Sequence, residues 1–133
     1  MTRFAIAVST FMLAASIAVA QTEWVPQYDA TSVSGLIDKV HSDLTHAYQE
    51  RHFSGDDRDR LNHSEKELRE FAGKWEHGHF DKGQLSGVID GIQRVLDKNK
   101  LKGADRDSID QDLLQMRNMR EAYEHHDIEG ARH

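Results

Sequence analysis

The chain repeats itself, and this repeat limits the possible folds more than any other feature of the sequence. Residues 53–77 align without a gap onto residues 101–125 at an offset of 48 positions. Identical residues in the two copies are Gly55/Gly103, Asp57/Asp105, Arg58/Arg106, Asp59/Asp107, Arg69/Arg117, Glu76/Glu124 and His77/His125. Matching large apolar residues are Leu61/Ile109, Leu68/Met116, Phe71/Met119 and Trp75/Tyr123. Residues 34–38 also reappear as 86–90, at an offset of 52. Self-similarity of this kind indicates one supersecondary unit used twice, here a helical hairpin.

Apolar residues recur every three or four positions in four segments, which predicts four amphipathic helices over about 30–51, 56–76, 81–98 and 104–126. The residues expected to face the core are Val33, Leu36, Ile37, Val40, Leu44 and Tyr48 in the first helix, Leu61, Leu68, Ala72 and Trp75 in the second, Leu85, Val88, Ile89, Ile92, Val95 and Leu96 in the third, and Ile109, Leu113, Met116 and Tyr123 in the fourth. Short connections make neighbouring helices antiparallel. The predicted fold is all-α, an antiparallel up-down-up-down four-helix bundle built from a tandemly duplicated hairpin, with repeats at about 30–77 and 81–126.

Two local predictions refine this fold. Asp81 with Gln84 three residues later forms the pattern of a capping box at the start of the third helix. Asp38 and Arg69 recur as Asp90 and Arg117, at nearly level positions of two antiparallel helices. We therefore expect a cross-helix ion pair in each hairpin.

The first 20 residues have the pattern of a cleaved secretory signal peptide. Arg3 supplies a positive charge, residues 4–19 are almost continuously apolar, and Ala18-Val19-Ala20 is a small-x-small cleavage site. The sequence thus predicts a periplasmic or secreted protein whose residues 21–133 form one domain. Because cleavage removes the apolar stretch, no stable membrane anchor is expected in the mature protein, although the stretch is only slightly shorter than the ~20 residues of a spanning helix. An uncleaved anchor is the alternative.

Charge and cysteine content narrow the function classes. Removing the leader takes away one arginine and no acid, which leaves 16 basic and 23 acidic residues and a net charge of −7. Nucleic acid is therefore not an expected partner, because binding a polyanion needs a basic stripe. The chain has no cysteine, which excludes disulfides, thiolate metal sites and cysteine nucleophiles.

Histidines provide the candidate metal site. The chain has nine, and four of them, His77, His79, His125 and His126, fall at one end of the predicted bundle beside Glu76, Glu124 and Asp81. Imidazole and carboxylate ligands together suit zinc, nickel or copper. His77 and His125 lie two residues beyond Trp75 and Tyr123, which turns them away from the core. Surface histidines that titrate with external pH are the alternative interpretation.

A glycine series marks a candidate contact surface. Gly83, Gly87 and Gly91 recur every four residues, on the face of the third helix opposite to Leu85, Val88 and Ile92. Each glycine costs about 1 kcal/mol of helix stability relative to alanine. Close approach of a partner helix, or self-association of two copies, would explain such a series. A solvated face without a role is the alternative.

No enzyme motif is present in the sequence. It contains no nucleophile elbow, phosphate-binding loop, H-E-x-x-H motif or dinucleotide fingerprint, and no cofactor is predicted. The prediction is therefore a small exported helical protein with a non-enzymatic binding or structural role in the cell envelope and an unidentified protein partner. The alternative is a His-rich protein that buffers or senses a divalent transition metal at one bundle end.

Overall fold

The computed structural model describes residues 28–131, so the predicted leader lies outside the described part of the chain. These residues form four helices, α1 (Ala30–Tyr48), α2 (Gly55–Glu76), α3 (Lys82–Lys98) and α4 (Gly103–Glu124). No strand occurs among them, and an isolated backbone bridge joins Tyr28 to Ile128. The prediction of an all-α chain with four helices is confirmed. Within residues 28–131, no helix combines the length and the apolar character that a membrane span requires.

The starts of α1, α2 and α3 are capped by side chains, whereas Lys102 before α4 forms no side-chain cap hydrogen bond. Asp29 accepts a hydrogen bond from the backbone N–H of Ser32 at 2.7 Å, and Ser54 and Asp57 form a complete capping box before α2. Asp81 caps α3 as predicted, by accepting from the Gln84 N–H at 2.9 Å. The reciprocal half of that predicted box is absent. The Gln84 amide donates instead to the Glu67 carboxylate of α2, because a charged acceptor is stronger than a backbone group.

The ends of α2 and α4 have the same geometry at equivalent positions. Gly78 and His126 both adopt positive φ, at 75° and 61°. The next backbone N–H reaches back to the final turn in each case, from His79 to the Lys74 carbonyl at 3.0 Å and from Asp127 to the Ala122 carbonyl at 2.8 Å. Both are left-handed caps that satisfy helix-end carbonyls.

The core is formed by all four helices and by the segments between them. The buried apolar residues are Val33, Leu36, Val40, Leu44 and Ala47 on α1, Leu61, Leu68, Phe71 and Trp75 on α2, Leu85, Val88, Ile89, Ile92, Val95 and Leu96 on α3, Ile109, Leu113, Met116, Met119 and Ala122 on α4, and Phe53, Phe80 and Ile128 outside the helices. Phe80 is the centre of an aromatic cluster. Its ring lies edge-on to Phe71 and Trp75 and stacks on Tyr123 at a centroid distance of 4.4 Å.

Some predicted core positions are corrected by one-residue shifts. Tyr48 is 39% exposed, because α1 ends there and Ala47 occupies the inward position. The Arg58 guanidinium lies 6.0 Å from the centre of the Tyr48 ring. Ala72 is half-buried, since the neighbouring Phe71 fills the core instead. Ile37 and Tyr123 are also only partly buried and pack against the core from its edge.

Each helix packs against two others. The contacting pairs are α1 with α2, α2 with α3, α3 with α4, and α1 with α4. The backbone at Tyr28 donates to the Asp127 carbonyl at 3.3 Å and accepts from the Glu129 N–H at 2.9 Å. The segments before α1 and after α4 are thereby joined.

Candidate functional site

The four histidines of the predicted metal site are exposed side chains that follow two helices. His77 and His79 come after α2, and His125 and His126 come after α4. His125 approaches Glu121 at 3.9 Å between Nε2 and Oε1. In the described part of the chain, no three or more His, Cys, Asp or Glu side chains are grouped so that they could hold a metal ion. The metal site at this end stays a prediction.

Other histidines pair with carboxylates on neighbouring helices. His41 of α1 contacts Glu65 of α2, and His46 of α1 lies 2.6 Å from Asp105 of α4 through Nδ1 and Oδ1. α1 is therefore joined to both of its neighbours by a histidine and an acid. His41 and His46 lie along α1, whereas the histidines of the predicted metal site follow α2 and α4.

A buried ionic cluster joins α1 to α4. Lys39 donates to Asp112 Oδ1 at 2.6 Å and to Asp43 Oδ2 at 2.8 Å. The Asp112 side chain is 1% exposed, and its Oδ2 atom has no hydrogen-bond partner among the described residues. A buried carboxylate with one unpaired oxygen is energetically unfavourable. Sequence reasoning missed this cluster, although Asp112 falls on the core stripe between Ile109 and Met116.

Burial and neighbouring charge set the pKa values in this cluster. Burial, followed by the interaction with Asp43, raises the pKa of Asp112 to about 6, against the opposing effect of Lys39. Burial also acts to raise the pKa of Asp43, but hydrogen bonding with Asp112 and Lys39 outweighs it and lowers that pKa. With both acids ionised, neither can donate to the other. When Asp112 is protonated, it becomes a donor to Asp43.

The equivalent interface between α2 and α3 is closely packed and has no such cluster. Ser64 corresponds to Asp112 at an offset of 48, and Gly91 corresponds to Lys39 at an offset of 52. A Cβ atom on Gly91 would lie 2.9 Å from Ser64 Oγ. The small pair Ser64 and Gly91 thus stands where the ionic pair stands in the other interface.

This packing corrects the expected position of the glycine series. Gly91 is buried against α2 rather than exposed, and a Cβ atom on Gly87 would lie 3.1 Å from the Glu67 carboxylate. Gly83 remains exposed. The close helix approach that the glycines predict therefore occurs within the chain. Self-association through this face would reach only its Gly83 end.

The predicted cross-helix ion pairs do not form. Among residues 28–131, neither Asp38 with Arg69 nor Asp90 with Arg117 is an ion pair within 4.0 Å. Arg117 donates instead to Gln93 Oε1 at 2.9 Å. Level positions on two helices do not ensure that two side chains point toward each other.

A depression of about 410 Å³ lies between α3 and α4. Its lining residues are Lys82, Ser86, Arg117, Arg120, Glu121 and Glu124. Lys82 forms an ion pair with Glu124 at 2.6 Å, which lowers the pKa of that carboxyl. Arg120 donates to the Ser86 hydroxyl at 3.3 Å. Within the described residues, both arginines of the depression hydrogen-bond to neutral oxygens, and neither has a carboxylate oxygen within 4.0 Å.

Two basic positions of this depression are absent from the first copy of the repeat. Arg117 and Ser86 have equivalents in Arg69 and Ser34. Lys82 and Arg120 correspond to Ala30 and Ala72. The depression between α3 and α4 therefore has two basic side chains that the aligned positions of α1 and α2 lack, in a chain whose overall charge is negative.

Comparison of the chain with protein-family models, with curated proteins and with solved structures finds no match.

Proposed function

We propose that this chain is an exported, non-enzymatic binding protein that recognises an anionic group at the depression between α3 and α4. The observation that carries the proposal is the hydrogen bonding of Arg117 and Arg120. Two guanidinium groups one helical turn apart line the same depression, and each hydrogen-bonds to a neutral oxygen. Guanidinium presents a planar fork of donors that matches a carboxylate or phosphate group.

The charges around the depression support a small anion better than a polyanion. Lys82 and Glu124 compensate each other, and Glu121 lies near His125 at the rim. With Lys82, Arg117 and Arg120 against Glu121 and Glu124, the lining of the depression carries a net charge of +1. A long basic stripe, which nucleic acid requires, is not part of this surface.

Isothermal titration calorimetry of the purified protein tests the proposal. Inorganic phosphate and succinate serve as anionic probes at low ionic strength, where exposed charges are least screened. We expect binding of at least one of them by the natural protein and its loss in the double variant Arg117→Gln/Arg120→Gln. The control variant Arg69→Gln/Arg94→Gln removes two exposed arginines outside the depression. Absence of binding to either anion, or equal loss in both variants, would contradict the proposal.

Export is part of the same proposal. It rests on Arg3, the apolar stretch and the cleavage pattern at Ala18-Val19-Ala20. The mature domain would then begin at Gln21. Intact-mass measurement of the protein recovered from the envelope or the medium should give the mass of residues 21–133, whereas a full-length mass would favour the uncleaved anchor.

The duplicated up-down-up-down bundle is the architecture that we propose for this domain. Its support lies in equivalent positions that share an environment. Leu61 and Ile109 are both buried, as are Leu68 and Met116. The caps at Gly78 and His126 have the same hydrogen bonds, and the cyclic order of helix contacts fits a bundle with short connections.

The metal-binding alternative is tested in the same calorimeter. Zinc, nickel and copper titrations on untagged protein would show stoichiometric binding if the exposed histidines after α2 and α4 came together around an ion. Loss of that binding in His77→Gln/His125→Gln would assign it to this end.

A further inference from the structure

We infer that the interface between α1 and α4 is a pH-dependent latch, in which α1 packs firmly against α4 when Asp112 is protonated and opens more readily when Asp112 is ionised. The inference is independent of the anion site. It rests on the geometry of one buried cluster and on its comparison with the equivalent interface in the other half of the chain.

The environment of Asp112 disfavours its negative charge. Its carboxyl is enclosed between α1 and α4, with one oxygen bonded to Lys39 at 2.6 Å and the other without a hydrogen-bond partner in the described residues. The Asp43 carboxyl of α1 shares the same lysine. Two negative charges thus share one positive charge, and Asp112 is the member of the cluster that is buried from water. Protonation of Asp112 removes one of the negative charges and supplies a donor for Asp43.

Two charged groups face Asp112 in the described residues, and both belong to α1. From α1 these are Lys39 and Asp43, and His46 lies near enough to influence Asp43. From α3, which also packs on α4, no charged side chain forms a hydrogen bond or ion pair with Asp112 in the described residues. On α4 itself, the residues one turn away are the uncharged Ser108 and Met116. Among the described residues, Lys39 is therefore the one positive charge that bonds to ionised Asp112, and it also bonds to Asp43.

The interface between α2 and α3 has uncharged residues at the two aligned positions. Ser64 and Gly91 occupy the positions equivalent to Asp112 and Lys39, and they allow close packing without a buried charge. A change of pH consequently acts on one of the two equivalent interfaces. Because the other three helices keep their apolar contacts, we expect α1 to separate before α2, α3 or α4.

The sign of the pH dependence follows from burial. The folded-state pKa of Asp112, about 6, lies above its ordinary value of 3.8. The packed interface is therefore favoured most strongly below pH ~4 and loses this contribution as pH rises through ~6. Most of the change above pH 5 falls within the one pH unit below this pKa, and one pKa unit corresponds to a tenfold change in an equilibrium constant, so α1 opening should increase ~10-fold from pH 5 to pH 7.5.

Hydrogen exchange measured by mass spectrometry tests the latch directly. Protection factors for α1 and α3 are compared at pH 5.0 and pH 7.5 after correction for intrinsic exchange rates. We expect protection of α1 to fall by ~10-fold while α3 changes by less than ~3-fold. Equal changes in the two helices, or no change in α1, would overturn the inference.

Two variants and a control separate Asp112 from the other titrating groups. Asp112→Asn should remove most of the pH-dependent change in α1. Asp43→Asn, which removes the competing carboxylate but keeps Asp112, should move the midpoint of the change to lower pH. Asp110→Asn alters an exposed acid two residues away on α4 and should leave the change intact. If Asp112→Asn reduces the change by less than ~3-fold, or does not fold and Asp43→Asn leaves the midpoint in place, the inference is wrong.

Discussion

Ser64 and Asp112 align at an offset of 48 positions in the sequence, and both are fully buried with a side-chain oxygen that has no hydrogen-bond partner in the described residues. The two residues face different neighbours. Ser64 packs against Gly91, whereas Asp112 bonds to Lys39. One position therefore gives a close contact between two small residues of α2 and α3, and an ionic contact between α1 and α4.

Lys39→Met should destabilise the protein in a pH-dependent way. Removing the lysine leaves Asp43 and Asp112 without their shared counter-charge, and breaking a buried pair costs about 3–5 kcal/mol. Because the Lys39 side chain is half exposed, we expect about 2 kcal/mol at pH 7.5 and a smaller loss at pH 5, where Asp112 is protonated. Urea unfolding followed by circular dichroism measures both values.

Lys66→Met is the matched control for this experiment. Lys66 is an exposed lysine of α2. Its replacement should change the free energy of unfolding by less than about 0.5 kcal/mol at either pH. Equal effects of the two substitutions would show that the Lys39 interactions contribute nothing to stability.

Two glycine substitutions should have opposite signs. A Cβ atom on Gly35 of α1 meets nothing within 4 Å, so Gly35→Ala should stabilise the protein by up to ~1 kcal/mol through helix propensity. Gly91→Ala places a methyl group 2.9 Å from Ser64 Oγ, and overpacking of this kind costs about 1–3 kcal/mol. We expect net destabilisation.

A double-mutant cycle tests the cause of that loss. Ser64→Ala removes the clashing hydroxyl, which has no hydrogen-bond partner in the described residues. The double variant Gly91→Ala/Ser64→Ala should therefore recover most of the stability lost in Gly91→Ala, with a coupling energy of about 1 kcal/mol. Additive effects in thermal melts would exclude direct contact as the cause.

Phe80→Ala should be among the most destabilising substitutions. Phe80 is fully buried and contacts the rings of Phe71, Trp75 and Tyr123, which belong to α2 and α4. Loss of such an aromatic side chain costs about 3–5 kcal/mol. Leu114→Ala is the control, since Leu114 is 58% exposed and its loss should cost less than about 0.5 kcal/mol. Chemical denaturation of the two variants provides the comparison.

The sequence predicted the four helices and the Asp81 cap of α3, because these depend on neighbours within one or two turns. The spacing of Leu85, Val88 and Ile92 was sufficient to orient α3. This spacing did not reveal how much of the surface of α3 is buried. α3 contacts both α2 and α4, so Gly91 is buried although it lies away from the main stripe. The residue opposite it, Ser64, is too distant in sequence to be identified from spacing.

The buried ionic cluster could be anticipated only in part. Asp112 falls on a core stripe, where a charged residue requires a partner, and its alignment with Ser64 marks the position as unusual. The identity of the partner could not be read from the sequence, because Lys39 lies 73 residues away and resembles any surface lysine of an amphipathic helix. The depression between α3 and α4 could not be predicted for the same reason, because Ser86 and Arg120 come together only when the two helices pack.

The most direct test of anion recognition is a nuclear magnetic resonance titration that follows the side-chain Nε–Hε signals of individual arginines during addition of inorganic phosphate at low ionic strength. We predict saturable shifts for Arg117 and Arg120 and much smaller shifts for Arg69 and Arg94, with the Arg120 response lost in Arg117→Gln. Equal, non-saturating shifts of all four arginines would show general ionic screening and would contradict a binding site between α3 and α4.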